Sequence, residues 1–152
     1  MALPNIFSKE VAADIISRIN KLTQTTQAIW GTMSASQMLA HCNVTYEVVY
    51  ENKHPKPNFI LRLILIAFVK KYVTNEIPYK KSSQTAPAFI IKDERNFEIE
   101  KKRLIDFIEK TQQLGEMHFD GKDSLSFGKL NTQEWNNMFY KHLNHHLSQF
   151  GV

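Results

Sequence analysis

Apolar residues return every three or four positions in four separate stretches of the chain, a period that suits amphipathic helices and not half-buried strands. The first stretch runs from Lys9 to Leu22, with Ser8 placed to cap it and Val11, Ile15, Ile16, Ile19 and Leu22 on one stripe. A second begins at Ser34, where Ser34-Ala35-Ser36-Gln37 has the capping-box form, and carries Met38, His41, Val44, Tyr46, Val48 and Val49 to about Glu51. A third is capped by Asp93 and ends near Gln113, with Gly115 as its stop. The fourth starts at Asn131 or Thr132 in a second capping box and runs to Phe150, before Gly151.

Between the second and third stretches, His54-Pro55-Lys56-Pro57 breaks the chain, because proline lacks an amide donor and disfavours helix in the residue before it. A short helix from Phe59 to Tyr72 follows. Residues 73–92, with Pro78 and Pro87, read as a long connection of the kind that lies across an opening. Within it Ala88-Phe89-Ile90-Ile91 is the best β-leaning run and reads as extended loop. The expected fold is all-α: a four-helix bundle with a short extra helix and a long covering loop, residues 1–152 forming one domain.

Composition restricts the function. A chain of 152 residues, 43% hydrophobic, is long enough to bury a core without staples. Its single cysteine, Cys42, excludes an internal disulfide and a Cys-only zinc site, and fits a reducing compartment. The N-terminus lacks the pattern of a signal peptide, so the cytoplasm is the expected location. The apolar run Ile60 to Val69 is about half the ~20 residues that cross a bilayer. It reads as a buried helix or the face of a homodimer, with an interfacial membrane helix as the lesser alternative. Net charge is +4, but the Lys and Arg are interleaved with acids and no basic stripe with aromatics emerges, so no nucleic-acid partner is expected.

Three of the six histidines fall in Lys141-His142-Leu143-Asn144-His145-His146. On a helix of about 3.6 residues per turn, His142 and His146 share a face while His145 lies about 100° away. Their stripe also holds Trp135, Met138, Phe139 and Gln149, so both imidazoles point toward the expected core. Burying them unpaired is costly. His41, flanked by Met38 and Val44 on its own inward stripe, is the best third ligand for a divalent metal such as zinc or nickel. The competing reading is three unrelated core histidines, since an HxxxH pair alone is common. His54 and His118 read as surface residues, His145 as solvent-facing or as support for its neighbours, and Cys42 as a small core residue.

Three blocks carry a family likeness: Trp30-Gly31-Thr32-Met33-Ser34-Ala35-Ser36-Gln37-Met38-Leu39-Ala40-His41-Cys42, then Phe127-Gly128-Lys129-Leu130 through Trp135, then Tyr140 through Val152. Together they resemble the DinB/YfiT-like superfamily, and within it a branch of short proteins described only as a domain of unknown function. Thr85-Ala86-Pro87-Ala88-Phe89 and Arg95-Asn96-Phe97-Glu98-Ile99-Glu100-Lys101 extend the likeness. It implies an up-down-down-up bundle in which one histidine of the second helix and an HxxxH pair of the last hold a metal; His41, His142 and His146 match. Relatives often carry His-Pro before the Phe-Gly turn, where this chain has Ser124-Leu125-Ser126.

The resemblance implies a metal-dependent enzyme that transfers a low-molecular-weight thiol to a small electrophile, the metal activating the thiolate. Hydrolysis by metal-bound water, with a carboxylate such as Glu47 as base, is one alternative. A non-catalytic metal-binding stress-response or interaction module is another. Tyr46, Tyr50 and Glu47 are the candidate acid–base groups, and none is singled out.

Overall fold

The structure, a computed structural model, describes residues 2–152. It is mostly helical, as the periodicity predicts. Helix α1 (Lys9–Asn20) is capped by the Ser8 hydroxyl and α2 (Ala35–Tyr50) by a full Ser34/Gln37 capping box. After the proline break come α3 (Phe59–Ile64), a π-helical turn (Leu65–Val69) and α4 (Lys70–Thr74), which together form one continuous rod. Helix α5 (Phe97–Phe119) and α6 (Thr132–Gln149) complete the set, α6 starting in the Asn131/Glu134 capping box.

The four long helices pack on one another: α2 along α5 and against α6, and α1 against α5 and α6. One hydrophobic cluster runs between them from Ile6 to Phe150. The Tyr46 ring stacks at 5.1 Å on Phe139, whose other contacts include Trp135 at 5.5 Å, so an aromatic column fills the space between α2 and α6. Ile15 and Ile19 of α1 are fully buried in the same cluster, each contributing roughly 1.5–3 kcal/mol.

The third stretch departs from expectation at both ends. Its cap is Asn96, whose side chain accepts from the Ile99 amide, and not Asp93. Asp93 instead pairs with Arg95, so its carboxylate faces a side chain and not the helix. Gly115 does break the helix, at φ +70°, but a further turn reaches Phe119, whose buried ring stacks at 5.2 Å on Phe7. Two features had no expectation behind them. One is a minimal antiparallel hairpin of β1 (Asp123–Ser124) and β2 (Gly128–Lys129), and the other is the π turn, in which the Lys70 amide reaches back five residues to the Leu65 carbonyl.

Polar groups fasten the peripheral elements to α6. Asn136 accepts from the Ile6 amide at 2.8 Å, and Asn137 donates to the Thr74 carbonyl at 2.8 Å. Buried Lys141 donates to the Tyr72 and Asn75 carbonyls and to Asn75 Oδ1 at 2.7–2.9 Å, which satisfies the orphan carbonyls at the end of α4. The covering connection contains a single 3-10 turn, Pro87–Phe89, and no strand. No helix among the described residues is long and apolar enough to cross a membrane.

Candidate metal centre

His41 comes from the middle of α2, and His142 and His146 from one face of α6. Their ring centroids lie 4.4–4.9 Å apart, and one nitrogen from each lies within 4.8 Å of the others. This is the only group of its kind among the described residues. The three histidines are close enough to hold a metal ion.

What surrounds the rings fixes the protons of His41 and His146. His41 Nδ1 is 2.8 Å from the Phe89 carbonyl oxygen, which can only accept, so Nδ1 carries the hydrogen and Nε2 presents a lone pair. His146 Nδ1 is 2.8 Å from Gln149 Oε1. The orientation of that amide is set in turn, because its nitrogen donates to the Trp30 carbonyl at 2.7 Å. His146 therefore also keeps its hydrogen on Nδ1 and turns Nε2 toward the cluster. His142 Nδ1 meets the Thr45 hydroxyl at 2.9 Å, a group able to accept or donate.

The result is a confrontation of nitrogens. His41 Nε2 and His142 Nε2 are 2.9 Å apart, and if Thr45 accepts, both carry lone pairs and only a cation between them relieves the repulsion. If Thr45 donates, His142 bridges to His41 through a proton. A second group orienting each ligating imidazole through its far nitrogen is the usual arrangement around a protein metal. A tetrahedral ion with nitrogens at ~2.0–2.1 Å spaces them by about 3.3–3.4 Å, against the 2.9 Å between His41 Nε2 and His142 Nε2 and the 4.8 Å that bounds all three.

Burial keeps the three rings neutral. Desolvation lowers the pKa of His41, partly opposed by the Phe89 carbonyl. It drives that of His142 well down, with the neighbouring histidines adding to the effect. The pKa of His146 falls to about 3 for the same first reason. Neutral imidazole is the form that binds a metal. The Phe89 ring stands edge-on at 5.9 Å from His142 and packs on His41, so the connection at 87–89 covers the cluster as its length suggested.

Residues 8–151 match the family described as Protein of unknown function (DUF1569). The chain belongs to this family. No curated protein and no solved structure matches it.

In this DUF1569 protein the candidate acid–base residues of α2 are directed away from the histidines. Tyr46 is buried in the aromatic column and burial raises its pKa well above the phenol range. The Tyr50 hydroxyl is bonded to Thr111 at 2.7 Å, with its pKa pushed up to about 12 by burial. Glu47 takes Arg103 on one oxygen and His54 at 2.9 Å on the other; burial raises its pKa, but these partners outweigh it and hold the carboxyl below its usual range. His54 is thus no free surface residue, whereas His118 is exposed beside Lys122. Cys42 is buried against Met38, and desolvation raises its thiol pKa, which suits a core residue and no nucleophile.

His145 stays outside the cluster of nitrogens, half-buried between Trp30, Tyr79 and His146. Sequence reasoning missed Thr45, Gln149's link to Trp30, and Gly31. Thr45 lies four residues after His41, and Gln149 three after His146, so helical spacing was their available signal. Trp30 and Phe89 act through backbone carbonyls, which leave no mark in the residue type.

Proposed function

We propose that His41, His142 and His146 hold one divalent ion, zinc or nickel, in a single-domain cytoplasmic enzyme of the DinB-like type with an up-down-down-up bundle. The observation that carries the metal reading is the set of far-nitrogen partners: the Phe89 carbonyl and Gln149 each force Nε2 inward as a lone pair. An ion there supplies Lewis acidity that lowers the pKa of a thiol or water presented to it. The chain's residues do the rest. Thr45 and Gln149 orient the rings, burial keeps them unprotonated, and Phe89 limits access of water.

The favoured reaction is transfer of a low-molecular-weight thiol to a small electrophile. A thiol brings its own nucleophile and needs no carboxylate base beside the metal, and no Asp or Glu among the described residues joins the three nitrogens. Hydrolysis would ask such a base of Glu47, whose two oxygens are occupied by Arg103 and His54. A non-catalytic stress-response module would use the same metal for stability alone.

Metal analysis of untagged protein tests the centre. Near-stoichiometric zinc or nickel, lost in both His41→Ala and His142→Ala, is expected; equal background metal in all three proteins after reconstitution would overturn it. Thr45→Val is expected to weaken metal affinity about tenfold, the low end for loss of such a partner. Loaded protein should consume thiol when an electrophile is supplied. Ester hydrolysis abolished by Glu47→Gln would favour the hydrolase instead.

A further inference from the structure

The rod formed by α3, the π turn and α4 is not the buried helix that the run Ile60 to Val69 suggested, because most of its apolar side chains face outward. Of the fourteen large hydrophobic residues that are exposed among the described residues, nine lie between Phe59 and Ile77. Helix α3 and the π turn bury no residue, although ten of their eleven positions are apolar. Phe59 is 76% exposed, Ile60 70% and Phe68 79%. A helix apolar on every side that leaves Phe59, Ile60, Leu63, Ile64 and Phe68 exposed, with only Arg62, Leu65 and Val69 half-covered, presents a cost in water that a partner surface removes.

The sole charge within that stretch is withdrawn from it. Arg62 donates to Asp123 at 2.7 Å and to the Ser124 carbonyl at 3.1 Å, so its guanidinium is turned to the hairpin and neutralised there. Cations then flank the apolar surface on both sides. Residues 51–81 contain seven Lys and Arg against two Asp and Glu, leaving twelve against thirteen in the rest of the chain. The excess positive charge of the whole protein is thus confined to the segment that exposes its apolar side chains. Lys56, Lys71 and Lys80 are exposed there with no acidic partner among the described residues.

We propose that this segment is a docking surface for an anionic lipid bilayer, on which the rod lies in the interfacial plane. Apolar side chains enter the headgroup boundary while lysines at the two ends meet lipid phosphates and carboxylates, the pairing of forces that holds peripheral proteins to acidic membranes. Charge decides between this occupant and a second copy of the chain. A twofold contact would press the same positive segment against itself, whereas an acidic leaflet complements it.

The test is co-sedimentation of the intact protein with vesicles of phosphatidylcholine alone or of two parts phosphatidylcholine to one part phosphatidylserine. Binding to the acidic vesicles only, weakened by salt, is expected. Lys56→Ala, Lys71→Ala and Lys80→Ala should each lower partitioning about fivefold. Phe59→Ser and Phe68→Ser should lower it about tenfold or more, with helical circular dichroism and metal content unchanged. Because these side chains are already exposed, the variants are expected to fold. Absence of binding by folded protein would overturn the proposal, as would a dimer in sedimentation analysis that Phe68→Ser dissociates.

Discussion

Gly31 sits at φ +85°, and a methyl group added there would fall 2.5 Å from Gln149 Nε2. Moving that amide aside breaks its bonds to the Trp30 carbonyl and to His146. Gly31→Ala is therefore expected to turn His146 and lower metal affinity about 10- to 100-fold, measured by competition with a chromogenic chelator. Gly121→Ala, at φ +70° with open space around it, is the matched control for backbone strain and should leave affinity intact. At this scale the sequence was partly legible. The period of the helix places His142 above His146, and the apolar neighbours of His41 turn it inward, which made the grouping a candidate beside three unrelated core histidines; the family likeness, and not the spacing, singled it out. The orienting contacts could not be read from letters, because Thr45 and Gln149 belong to residue types with many uses and two of the remaining partners are main-chain carbonyls.

Among the elements, the caps at Ser8 and Ser34 were legible from the residues that follow them, while for the last helix the letters left Asn131 and Thr132 open and the structure uses Asn131. Before α5 two candidates compete, Asp93 and Asn96, and tertiary packing chooses Asn96 because Phe97 at the first helical position is buried in the core. Asn96→Ala should cost about 1 kcal/mol in urea denaturation, whereas Asp93→Ala should change stability by less than about 0.5 kcal/mol. The π turn and the two-residue hairpin strands are too short to leave a periodic signal. Lys141 was equally hidden, since buried lysine is rare enough that a surface position is the better guess. Its ammonium satisfies three oxygens at the end of α4. Lys141→Met leaves these half-buried oxygens without that donor, and a loss of about 2 kcal/mol is expected by the same measurement.

For the whole molecule, the neutral histidines couple stability to pH. His146 titrates near 6.5 when unfolded and at about 3 when folded, through burial, so below pH 6.5 the unfolded chain takes up a proton that the folded chain refuses. Stability is fully present above that range and falls as the pH drops. For chelator-treated protein at pH 5 the loss from His146 alone is about 2 kcal/mol, and His41 and His142 act in the same direction. Calorimetry of metal-free protein should show the melting temperature falling by at least about 4–8 °C between pH 7.5 and 5. Added metal in excess should raise it at pH 7.5, since an ion bound only by the folded state stabilises that state by mass action. The reliance on main-chain carbonyls has a different kind of consequence. The contact from Phe89 to His41, and the one from Trp30 to Gln149, survive any substitution that leaves the backbone in place. The side chains at these positions then answer for packing alone: Phe89→Leu keeps the carbonyl on His41 while thinning the cover over the rings, whereas an insertion or deletion near residue 89 displaces the carbonyl itself.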